Sequence, residues 1–72
     1  MEIGKSIRLW RTFKNISQAE LAEKIGTRHS AISNIENGRQ KPFYETVEKI
    51  ANALGVTVEQ LAATTMEEEN EH

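Results

Sequence analysis

The sequence predicts an all-α domain of five short helices, and three features carry that prediction. Apolar residues recur every three or four positions, two capping boxes open helical stretches, and nowhere do apolar and polar residues alternate with period two. At 72 residues the chain makes one small domain, near the lower limit for folding without disulfides or metals.

Ile3, Ile7, Trp10 and Phe13 share one helical stripe and predict a first amphipathic helix from about Ile3 to Asn15. Ser17-Gln18-Ala19-Glu20 is a capping box, in which the Ser hydroxyl and the Glu carboxylate each satisfy a backbone N–H. It opens a second helix carrying Leu21, Ala22 and Ile25, which Gly26 ends by taking a left-handed turn. Thr27 is predicted to cap a third helix, with Ile32 and Ile35 inward and Asn37-Gly38 as its stop. Pro42 suits the threshold of a fourth helix, roughly Phe43 to Leu54, burying Tyr44, Val47, Ile50, Ala51 and Leu54. Gly55 terminates it. Thr57-Val58-Glu59-Gln60 is the second capping box and starts a last helix through Leu61 to about Ala63.

The net charge of −2 argues at first against a polyanionic partner, but the charge is unevenly spread. Glu67, Glu68, Glu69 and Glu71 lie in a polar C-terminal stretch, predicted to be a disordered acidic tail over residues 67–72. Residues 1–66, the predicted domain, hold nine Lys and Arg against seven Glu, a balance of +2. The chain has no cysteine, and His29 and His72 are its only imidazoles, so neither a metal site nor any cofactor is expected. With no aspartate and no supported pairing of nucleophile and base, it is not read as an enzyme. No apolar run approaches the ~20 residues of a membrane span and no secretory leader is evident, so a cytoplasmic location is expected.

Function is concentrated in the pair of helices from Gln18 to Asn37. A small residue at Ala22 lets two helices joined by a short turn cross steeply, and Leu21, Ile25, Ile32 and Ile35 face inward to lock them. The outward face of the third helix then presents Arg28, His29, Ser30, Ser33 and Asn34, all able to hydrogen-bond. An α-helix fits the DNA major groove, where a guanidinium can donate twice to guanine and an amide can pair with adenine. Ser17 and Gln18 stand at a helix start, where backbone N–H groups and the dipole favour an anion such as phosphate. Asn37, Arg39 and Lys41 follow the third helix and are candidates for the same backbone-holding role.

The chain resembles the phage-repressor and Cro-like (Xre-like) helix-turn-helix family over about residues 3–62. The resemblance is carried by Ile7-Arg8-Leu9-Trp10-Arg11, Ile16 to Ala22, Ile25-Gly26-Thr27, Ile32 to Gly38, Lys41-Pro42 and Ile50 to Val56. It implies a compact five-helix, lambda-repressor-like domain whose third helix enters the major groove. It also implies a phosphate clamp at Gln18 and a partly buried ion pair between Arg11 and Glu36. Phe43 and Leu9 depart from the usual polar residues of the family, and an exposed Phe43 would face a second subunit or DNA unless it forms a lid on the core.

One such unit reads too few base pairs to select an operator, so a two-fold homodimer is expected. Leu54, Val56, Val58 and Leu61 are its candidate interface. The favoured function is a dimeric repressor or controller on double-stranded DNA, bacterial or phage-encoded and associated with the nucleoid. Two alternatives remain: an antitoxin that binds a toxin and represses its own operon, or a protein-interaction module that has lost DNA binding.

Overall fold

The computed structural model describes residues 3–63, and the predicted acidic tail at residues 67–72 lies outside them. The described residues form α1 (Ile3–Phe13), α2 (Gln18–Ile25), α3 (His29–Glu36) and α4 (Tyr44–Leu54), and residues 58–63 add a further helical stretch, α5. No strand occurs among the described residues. All these helices close around one core of Ile7, Leu21, Ala22, Ile32, Ile35, Val47, Ile50, Ala51, Leu54 and Leu61.

The first four helices end in the same way. After α1 the Asn15 N–H donates to Thr12 O and the Ile16 N–H to Arg11 O, a paired closure of the last turn. Equivalent pairs end α2 at Gly26 and Thr27, α3 at Gly38 and Arg39, and α4 at Gly55 and Val56. The turning residue is a glycine each time except after α1, where Asn15 holds φ 60°. Asparagine tolerates that conformation better than other side-chain-bearing residues. The first helix therefore stops at Phe13, two residues short of its predicted end.

Both capping boxes form. Ser17 Oγ accepts from the Glu20 N–H at 3.0 Å while Glu20 Oε1 accepts from the Ser17 N–H at 2.9 Å. Thr57 and Gln60 repeat the exchange at 3.0 and 2.8 Å. Thr27, in contrast, does not cap α3. Its N–H is committed to Ala22 O in the closure of α2, and the extended residue before the helix is Arg28, whose side chain makes no capping bond.

Two close contacts place the outer helices. Ser6 is fully buried and donates from Oγ to Leu61 O at 2.6 Å, fastening α5 against α1. Gly4 lies so close to the end of α3 that a Cβ there would run into Ile35 O and approach Glu36 Cα to 3.1 Å.

Two predicted burials fail, and the choice left open at Phe43 is decided. Tyr44 is 66% exposed and Phe13 78% exposed, because each sits at a helix end where the stripe has already run past the core. Phe43, at 83% exposure, is no lid. Trp10 is half-buried against the core and meets the Phe13 ring edge-on, 5.9 Å between centroids.

Candidate nucleic-acid interface

The buried side of α3 consists of Ile32 and Ile35, at 1% and 4% exposure, together with Glu36. Helical geometry turns the remaining residues outward. Arg28, His29 and Ser30 are exposed, and Ser33 and Asn34 are half-exposed one turn further on. These five residues form one polar surface that runs from Arg28, just before the helix, to Asn34 in its second half. The first N–H groups of any helix lack partners within it, and no side chain caps them here. The start of α3 therefore offers backbone donors beside the Arg28 guanidinium.

Gly26 makes this placement possible. It takes φ 75°, and the chain passes from α2 to α3 through Gly26, Thr27 and Arg28 alone. Ala22, 2% exposed, is part of the core where the two helices meet.

A second set of groups flanks that surface. Ser17 and Gln18 begin α2, and Asn37, Arg39 and Lys41 are exposed on the loop that follows α3. That loop is folded back on the helix it leaves: Arg39 N and Gln40 N both donate to Asn34 O, at 2.9 and 3.3 Å. Asn37 Nδ2 reaches Ser33 Oγ at 3.4 Å, a weak contact that spans the two sets. Both sets are polar or cationic, and together they suit a polyanion whose base edges are also accessible.

Arg11 and Glu36 lie behind this surface. Arg11 Nε donates to Glu36 Oε2 at 2.7 Å and Nη2 to Oε1 at 3.1 Å, a two-pronged pair in which Glu36's side chain is 2% exposed. Arg11 Nη1 also donates to Ile16 O at 2.9 Å, so one guanidinium ties α1, its terminal turn and α3 together. Gln18 Nε2 adds a third donor to the carboxylate, at 3.0 Å from Oε1. Neither the composition nor the spacing of the sequence pointed to that last bond.

The four residues expected to form a subunit interface separate into two groups. Leu54 and Leu61 are 2% and 0% exposed within the chain's own core, so they are removed from any such interface. Val56 and Val58 are half-buried and still reach the surface. Leu54 of α4 and Leu61 of α5 join the common core, with Val56 and Val58 packed against it. Among the described residues no group of His, Glu or other ligating side chains could hold a metal, and no helix is long and apolar enough to cross a membrane.

A compact all-α domain with two helices joined through a left-handed glycine, and a polar helix face beside them, defines a helix-turn-helix protein. A family model described as Helix-turn-helix matches residues 7–61, and the chain belongs to that family, of the phage-repressor and Cro-like kind.

Among curated relatives, the chain is 43% identical over 51 residues to an uncharacterized HTH-type transcriptional regulator of Archaeoglobus fulgidus, covering 71% of this chain and 22% of that protein. It is 36% identical over 58 residues to the immunity repressor protein of Bacillus phage phi105, covering 81% and 40% respectively. The chain thus spans less than half the length of these relatives. Among solved structures, a hypothetical transcription factor, NHTF, from Neisseria superposes with a TM-score of 0.79 at 37% identity, over 83% of this chain and 69% of that one. The clp gene regulator ClgR from Corynebacterium glutamicum has the same fold, with a TM-score of 0.83 at 24% identity over 97% and 79% of the two chains.

Proposed function

We propose that this chain is a sequence-specific DNA-binding transcriptional regulator, a dimeric repressor or controller that inserts α3 into the major groove of a two-fold operator. The observation that carries this is the division of α3 into a buried side of Ile32, Ile35 and Glu36 and an outward side of Arg28, His29, Ser30, Ser33 and Asn34. The outward residues read base edges, with Arg28 the main reader because its fork can engage guanine O6 and N7 together. Ser17, Gln18, Asn37, Arg39 and Lys41 hold phosphates on either side and set the register without reading sequence. The relatives named as regulators and as a phage repressor support the regulatory role.

A homodimer follows from the small number of base pairs one α3 can cover. With Leu54 and Leu61 inside the core, Val56 and Val58 are the members of the expected interface that a partner copy can touch. Occupying the operator blocks polymerase, and no effector pocket is required. Binding of a duplex measured across ionic strength tests the proposal. The association constant should fall linearly on logarithmic axes, with a slope that counts the phosphates neutralised. Affinity absent at low salt, or indifferent to salt, refutes it.

A further inference from the structure

The carboxylate of Glu36 has more donors than a structural ion pair needs. Arg11 alone engages both oxygens, at 2.7 and 3.1 Å, which already satisfies a nearly buried charge. Gln18 Nε2 nevertheless donates to Oε1 at 3.0 Å. Gln18 is the first residue of α2 and half-exposed, so its amide stands between the buried carboxylate and the surface.

That bond fixes which way the amide faces. A carboxylate paired with Arg11 has no proton to give, so only the NH2 end of Gln18 can meet it. An NH2 group carries two hydrogens. With one given to Glu36, the second is left on the side away from the carboxylate, at the start of α2 where backbone N–H groups also lack partners within the helix. A phosphate oxygen accepts hydrogen bonds and never donates them. An amide free to rotate would present its oxygen as readily as its nitrogen, and the oxygen would repel a phosphate.

We infer that Glu36 is a positioning residue for the phosphate contact of Gln18: it holds the amide with its second N–H outward, and Arg11 cancels the carboxylate charge that would otherwise oppose the phosphate. The recognition helix thereby orients the clamp on its neighbouring helix through its own last residue. This rests on Gln18 meeting phosphate, as proposed above.

The test is a double-mutant cycle on affinity for a random-sequence duplex of about 20 base pairs, two helical turns. Gln18→Ala should weaken binding about three- to tenfold in the otherwise native chain, the range for one hydrogen bond. In a Glu36→Ala background, shown to be folded by circular dichroism, the same change should cost less than about twofold, because the amide is no longer oriented. Equal losses in the native and Glu36→Ala backgrounds overturn the inference, since Glu36 would then serve the fold alone.

The native chain provides a second readout if Glu36→Ala does not fold. In nitrogen-15 spectra one Gln18 side-chain amide proton should lie downfield of its place in an unstructured glutamine, as a carboxylate-bonded proton does, and the other close to that place. Adding the duplex should move one and leave the Glu36-bonded one in place. Free-glutamine positions for both protons in the free protein, or movement of the bonded proton, overturn the inference. If Gln18→Ala changes nothing in a native chain that binds duplex, the phosphate contact and its positioning fall together, even with one amide proton displaced. Failure of the native chain to bind any duplex refutes the proposed function itself, and the free-protein spectrum then judges the orientation separately.

Discussion

Replacing Gly4 by alanine separates two physical effects that act in opposite directions. Helix propensity alone favours alanine by about 1 kcal/mol in a helix interior. The tertiary structure opposes it: the added Cβ would run into the Ile35 carbonyl oxygen and lie 3.1 Å from both the Cα and the carbonyl oxygen of Glu36. These are backbone atoms, so no side-chain rotation relieves the contact. Restoring an ordinary carbon–oxygen separation requires α1 and α3 to part by about 1 Å. Inserting one extra carbon into a tight contact costs about 1–3 kcal/mol, and backbone neighbours place this case toward the upper end. Less the propensity gain, Gly4→Ala should destabilise the chain by about 1–2 kcal/mol. For a domain of this size that lowers the melting temperature by about 5–15 °C. Thermal and urea unfolding followed by helical circular dichroism measure the change directly. An alanine variant as stable as the native chain, or more so, would show that the α1–α3 approach is looser than described.

Further outcomes follow from the same packing. Ser6→Ala removes the 2.6 Å bond to Leu61 O, so it should cost about 0.5–1.5 kcal/mol in unfolding. Leu61→Ala should cost about 2–5 kcal/mol in stability, as for other core leucines, while sedimentation at concentrations where the variant is folded shows an unchanged oligomeric state. Dissociation of a dimer without loss of stability would return Leu61 to an interface. Glu36→Ala strands the Arg11 charge and should destabilise by about 3–5 kcal/mol, more than Ser6→Ala, when measured by urea midpoints. Arg28→Ala should lose about 1–3 kcal/mol on a preferred site and relax base choice at one position. A uniform loss over all sequences would instead make Arg28 a phosphate contact.

What the sequence revealed and what it concealed divide by range. The capping boxes at Ser17 and Thr57 were legible because each involves residues three apart and a bond that local geometry dictates. The glycine stops after α2 and α4 were legible for the same reason. The boundary of α3 was not, because Thr27 looks like a cap in isolation yet belongs to the closure of α2, which puts Arg28 at the cap position one residue later. Tyr44 and Phe13 continue an apolar stripe in the sequence, and periodicity cannot tell a core position from one a turn beyond the core's edge. Leu54 and Leu61 suggested an interface only by surplus. Both join the core of the chain itself, and Leu61 is held there beside a bond from Ser6 across 55 positions of sequence. Gly4 gave no local signal at all, since its role is to admit the backbone of another helix. In the candidate site the outward residues of α3 could be listed from helical spacing alone. The bond from Gln18 to Glu36 joins two helices and needed their relative placement.

Selection of duplexes from a random pool by the native protein tests the central claim most directly. The enriched molecules should share one motif, two-fold symmetric, with half-sites about one helical turn apart, or about 34–36 Å. Enrichment of no common sequence, while the protein remains folded and soluble, would contradict a base-reading role for the polar face of α3.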